Sequence, residues 1–130
     1  MKTFLRSILI SMVAFTAAPA YADEAVYVFT CERDENATDE QVQTAAREWL
    51  KAARGMKGGK DMQAFLMYPA VGATNQVDLR FVVTSPSIVE WGLFWGNYDD
   101  SPADELDQKN KDLVDCPNSS LWNSETVEIK

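Results

Sequence analysis

The chain contains no histidine. That absence removes Ser-His-Asp and Cys-His catalysis, histidine-ligated zinc and histidine-ligated haem from consideration. Cysteine is nearly as scarce, with Cys31 and Cys116 alone, and they stand too far apart for a redox-active Cys-x-x-Cys pair. Glycine numbers 6 in 130 residues, and no Gly-Lys-Ser/Thr follows the Gly58-Gly59 pair, so there is no phosphate loop. Positive charge is also short: 12 basic residues face 20 acidic ones, for a formal net charge of −8. Such a surface repels phosphate backbones and anionic lipid, which disfavours nucleic acid and membrane surfaces as partners. Its plainest meaning is solubility.

No apolar run is long enough to span a bilayer, which takes about 20 residues. The nearest is Ser7 to Ala18, preceded by Lys2 and Arg6 and followed by Pro19 and Ala20-Tyr21-Ala22. A short basic region, an apolar stretch and a small-x-small motif predict a signal peptide over residues 1–22, cleaved after Ala22. Residues 23–130 then form one domain, periplasmic or secreted, with no membrane insertion after cleavage. No cysteine stands at the cleavage point, so lipid attachment there is not expected. Without Lys2 and Arg6 that domain carries 10 basic and 20 acidic residues, a net charge of −10. In an exported protein an even cysteine count predicts a disulfide, here Cys31–Cys116. Closing so long a loop is worth at most about 4.6 kcal/mol.

Ala25 to Cys31 is β-branched and aromatic without a breaker and predicts a first strand. Asp34, Asn36 and Thr38 have calcium-loop spacing, but Asp39 replaces the required glycine and Ala45 the closing glutamate, which excludes an EF-hand. Thr38 and Gln41 form a capping box, and Val42, Ala45, Ala46, Trp49, Leu50 and Ala53 follow helical spacing up to Gly55. Met62 to Tyr68 and Val77 to Thr84 predict two further strands, joined by the turn-rich stretch from Pro69 to Gln76.

The run from Ser85 to Tyr98 places Trp91, Phe94, Trp95 and Tyr98 within eight residues. Pro86 stops the strand, and Ser87 with Glu90 caps a helix whose aromatic stripe is either core or the lining of a small-molecule pocket. Ser101 and Pro102 start a further short helix that runs to Cys116-Pro117. The acids Asp99, Asp100, Asp104 and Glu105 fit its solvated N-terminus better than a cation site. Leu121 to Ile129 predicts the last strand. Two glycosylation sequons, at Asn36 and Asn118, matter only in a eukaryotic secretory pathway.

The order is βαββαβ with an extra short helix before the last strand. It predicts an α+β, ferredoxin-like domain: an antiparallel four-stranded sheet in order 4-1-3-2 with helices on one face. In that topology the end of strand one lies beside the start of strand four, which brings Cys31 and Cys116 together. Strands one and two carry apolar groups on both faces, where an antiparallel sheet with one wet face should alternate. A second copy packed on the open face resolves this, so a homodimer is expected.

The strand-to-helix corner from Phe81 to Trp91 is similar to the Pro-Ser-hydrophobic-x-x-Trp corner of the dimeric α/β-barrel superfamily. In element order the whole domain resembles small exported bacterial members of that superfamily. The resemblance implies a dimer and admits cofactor-free monooxygenases, isomerases and haem-degrading enzymes. The missing histidine departs from the last branch.

Three functions compete. The first is a small-molecule-binding dimer, with Arg80, Tyr68, Trp91, Trp95 and Tyr98 as candidate ligand contacts and Arg80 as a clamp for an anion inside the barrel. Pairing of Arg80 with Asp78 or another acidic neighbour is the structural alternative. The second is a non-catalytic envelope or assembly protein. The third is a cofactor-free enzyme in which Tyr68, Tyr98, Trp91, Asn97 and Arg80 orient an aromatic substrate. No residue set forms an acid–base or nucleophile–base constellation, so no catalytic residue, metal or cofactor is assigned.

Overall fold

The computed structural model describes residues 24–71, 78–127 and 129. The expected signal segment 1–22, the start of the third strand at Val77 and most of the 69–76 connection lie outside the described residues. The elements are β1 (Glu24–Arg33), α1 (Asp39–Arg54), β2 (Gln63–Met67), β3 (Leu79–Ser85), α2 (Ile88–Trp95), α3 (Pro102–Asn110) and β4 (Val114–Ser124). All strand pairs are antiparallel and the sheet order is β2-β3-β1-β4. This is the ferredoxin-like arrangement that the element order predicts.

The helix starts follow their capping chemistry. The Thr38 hydroxyl accepts from the Gln41 amide while the Gln41 side chain accepts from the Thr38 amide, closing the capping box of α1. Ser87 and Ser101 cap α2 and α3 in the same way, accepting from the Glu90 and Asp104 amides. Gly58 has φ 83°, and a Cβ there would press on the Glu90 carbonyl and the Phe94 amide at 2.6 Å. A side chain would force the turn after α1 away from α2.

The disulfide Cys31–Cys116 is formed, with Cys31 fully buried. Its setting differs from the expectation in one respect. β4 begins at Val114, so Cys116 lies inside the strand and α3 ends at Asn110. Thr30 pairs with Asn118 and Glu32 with Asp115, so two β4 residues, Cys116 and Pro117, oppose Cys31 alone. A proline supplies no ladder donor, and an edge-strand bulge is one of the few sheet positions that tolerate it.

Register sorts the strand residues onto two faces. One face, with Tyr27, Phe29, Leu66, Leu79, Phe81 and Val83, is covered by the helices. Trp49, Ala53, Met62, Val83, Phe94 and Ala103 form the main buried cluster, and Cys31, Val42 and Leu79 a second one under the start of α1. The other face bears Val26, Val28, Phe65, Met67, Val82 and Trp122 with Arg80 and Thr30. No helix among the described residues covers it, and Phe65, Met67 and Trp122 are 47%, 53% and 61% exposed.

Candidate functional site

The sheet and its helices leave a gap between them. A cavity of about 360 Å³ opens between the covered face, α1, and the segment running from α3 into β4. Tyr27, Phe29, Leu66, Leu79 and Phe81 form its floor, and Val42, Ala45, Ala46 and Trp49 form the α1 wall. Trp95 and Tyr98 close one end. Leu106, Asp107, Gln108, Asn110, Lys111, Val114, Asp115 and Cys116 make the opposite wall and rim. The space exists because α1 presents two alanines where its stripe passes the sheet. At packed density a leucine or phenylalanine there would fill it.

The aromatic lining is interlocked. The Trp95 and Tyr98 rings lie 4.4 Å apart, Tyr27 meets Trp95 edge to face at 5.3 Å, and Trp49 meets Phe81 at 5.3 Å. Trp49 Nε1 donates to Tyr98 Oη at 3.2 Å. The phenol oxygen is thus already an acceptor, and its own proton remains free to donate. Burial pushes the Tyr98 pKa up to about 12; the Trp49 hydrogen bond opposes that rise and the charges of Asp107 and Asp104 add to it. Tyr98 is therefore a neutral donor across the physiological range and a poor general base.

Asp107 stands at the rim. Desolvation raises its carboxyl pKa above the usual value, and the charges of Asp104 and Asp115 push the same way against the pull of Lys111. Among the described residues the one ion pair is Arg33 with Asp39, at the start of α1. The rim carboxylates therefore have no salt-bridge partner among the described residues. Among the same residues no group of three or more His, Cys, Asp or Glu side chains is placed to hold a metal ion.

The five residues singled out as ligand contacts separate into distinct places. Trp95 and Tyr98 line the cavity. Trp91 packs behind them on Tyr27, with ring centroids 5.7 Å apart, and its buried Nε1 has no hydrogen-bond partner among the described residues. Tyr68 follows β2 and lines a shallower hollow with Arg47, Leu50 and Phe65. Arg80 is exposed on the uncovered face, the one that a barrel would enclose. It does not pair with Asp78, whose carboxylate accepts from the Arg33 amide at 2.9 Å.

Sequence reasoning placed Ala46 and Trp49 in the apolar stripe of α1 without assigning either to a site, and it passed over Asp107. The signal for Asp107 was present: it follows Ala103 by one helical turn and adjoins Leu106, so it borders the apolar stripe of α3.

No protein-family model matches the chain. No curated protein sequence matches it either. Solved structures do. The crystal structure of At3g17210 from Arabidopsis thaliana superposes with a TM-score of 0.55 at 7% identity, covering 83% of this chain and 98% of the other. A hydroxynitrile lyase from Passiflora edulis gives a TM-score of 0.52 at 12% identity over 85% of this chain and 98% of the lyase. Both neighbours are of the dimeric α/β-barrel, ferredoxin-like type, and at such identities the likeness is one of fold.

Proposed function

We propose that this protein is an exported, disulfide-bonded domain that binds a small molecule in the cavity between its sheet and helices, as a homodimer joined through the uncovered sheet face. The cavity carries the reading. Its volume of about 360 Å³ falls in the range of small-ligand sites, roughly 300–1,000 Å³, and its aromatic walls with few polar groups fit their usual chemistry. Trp95 and Tyr98 contact the ligand, Tyr98 donates its free hydroxyl proton, and Trp91 supports Trp95 from behind. Arg80 belongs to the dimer face in this reading.

Export is supported by the leader-like residues 1–22 and by the disulfide, a bond that persists in oxidising compartments. No helix among the described residues is long and apolar enough to cross a membrane. The dimer is supported by the exposed apolar residues of the open face and by the type of the structural neighbours. The lyase's activity stays with that protein, because a shared fold at 12% identity transfers no chemistry.

Titration of the purified protein with the neutral probe 2-phenylethanol tests the cavity, with tryptophan emission and amide NMR shifts as readouts. Binding is expected to perturb Trp49, Trp95 and the 106–116 segment, and Ala46→Phe is expected to abolish it. Shifts confined to the open sheet face, or none at all, would overturn the cavity reading and favour a purely assembling role. Light scattering reports the dimer, and an N-terminus at Asp23 in the exported protein reports the cleavage.

A further inference from the structure

Charge divides the cavity into two zones. The interior is neutral and aromatic: Phe29, Phe81, Trp49, Trp95 and Tyr98 supply ring faces and edges, with one hydroxyl proton to spare. The rim is acidic. Asp107 and Asp115 line it, Asp104 lies close enough to act on Asp107, and Lys111 is the one cation among the lining residues. The α1 wall contributes Val42, Ala45, Ala46 and Trp49, none of which offsets the rim charge. No salt bridge joins Lys111 to either aspartate within the described residues.

A carboxylate or phosphate ligand entering here would meet like charge in a partly desolvated place. A cation would meet opposite charge at the mouth and π-faces beneath it. Ring quadrupoles attract cations within about 6 Å of the centroid, and the effect grows as water is excluded. Asp107 and Asp115 are themselves exposed, so their attraction for a cation gains strength where the ligand's own body shields the mouth from water.

Building on the binding reading above, we infer that the ligand is an organic cation, its apolar body against Trp95, Tyr98 and Phe29 and its ammonium group held at the rim by Asp107 and Asp115. This is opposite in sign to the anion that Arg80 would hold on the other side of the sheet. Binding is coupled to protons. A bound cation favours the ionised form of Asp107, so complex formation draws its raised pKa back down and releases a proton where the carboxyl still holds one. The groups that face Asp107 are Asp104 and Lys111 from the α3 side, Asp115 from β4 and the phenol of Tyr98. Affinity for the cation therefore falls on acidification, as Asp107 gains its proton.

Three probes of similar shape test this at neutral pH: phenethylammonium, 2-phenylethanol and 3-phenylpropanoate, titrated by tryptophan emission and calorimetry. The ammonium probe is expected to bind at least tenfold more tightly than the alcohol, and the carboxylate more weakly than either. Asp107→Asn is expected to lower the ammonium-to-alcohol affinity ratio at least fivefold, and Asp61→Asn, which removes the same charge far from the cavity, to leave that ratio unchanged. Equal binding of all three probes in the cavity would overturn the cation assignment and leave the binding reading standing. An equal loss in Asp61→Asn would also overturn it, since the preference would then be a property of the net charge. Failure of all three probes to perturb Trp49 or Trp95 would overturn both readings.

Discussion

The two faces of the sheet are built from the same strands and are both largely apolar, yet they present different surfaces. On the covered face Tyr27, Phe29 and Phe81 stand against helices that arch over them, and Ala45 and Ala46 leave a hollow. On the open face, Phe65, Val82, Val28 and Ser120 form a cross-strand row, flanked by Met67 with Arg80 and by Val26 with Trp122. A shallow pleated surface can bury its groups only against another extended surface. A vaulted one can enclose something small. Alternation along a strand determines that there are two such faces, and the helix residues above one of them determine that it is concave.

The sharpest way to break this comparison is to collapse the covered side. Phe94 is fully buried and packs edge to face on Trp49 and Trp95. Phe94→Ala is expected to cost about 3–5 kcal/mol in chemical denaturation, far more than any truncation on the open face. A loss below about 1 kcal/mol would mean that the covered side is loosely packed. Reduction of Cys31–Cys116 is expected to follow, costing about 2–4 kcal/mol because the bond closes a long loop. It also frees the β4 bulge that forms one wall of the cavity, so 2-phenylethanol affinity should fall with it.

The open face responds differently. Phe65→Glu together with Trp122→Glu is expected to halve the mass measured by light scattering. Both side chains are exposed in the single chain, so the unfolding free energy per chain should move by no more than about 0.5 kcal/mol for each. An unchanged mass would mean that the protein is not a dimer joined through this face. Ala46→Phe sharpens the contrast from the other side: it should remove ligand binding while leaving the mass as it was.

The remaining predictions concern pH dependence. The folded-state pKa of Tyr98 is raised from 10 to about 12, so the folded chain holds that proton more tightly than the unfolded one. The stability this contributes is present below pH 10 and is lost as pH rises from 10 towards 12, a loss that Tyr98→Phe should remove. Asp107 is also raised, which makes its ionisation mildly unfavourable to the fold above the usual carboxyl range. Asp107→Asn should therefore leave stability unchanged in strong acid and raise it slightly at neutral pH. A drop at neutral pH would mean that Lys111 stabilises the carboxylate more than burial and the neighbouring acids oppose it.

Much of the fold was legible because its signals are local. Thr38 with Gln41, Ser87 with Glu90 and Ser101 with Pro102 mark helix starts by chemistry within four residues. The start of β4 was not legible. Lys111 to Cys116 reads as a continuing helix, but pairing of Val114 and Asp115 with Arg33 and Glu32 draws it into the sheet. Of the candidate site, Trp95 and Tyr98 were found, while Asp107 was missed and Ala46 was read only as part of the α1 stripe, because each gains its place at the site only from what stands opposite it.

By itself, then, the sequence determined the element order, the pairing of its two cysteines and the presence of apolar groups on both faces of the sheet. Capping, alternation and topology act over short spans or follow from chain order, so they can be read along the chain. Only the tertiary structure decided where the hollow lies, that Trp49 fixes the hydroxyl of Tyr98, and that Asp107 and Asp115 meet at one rim. Those depend on the distance between α1, α3 and the sheet, which is set by the joint packing of side chains far apart in the chain.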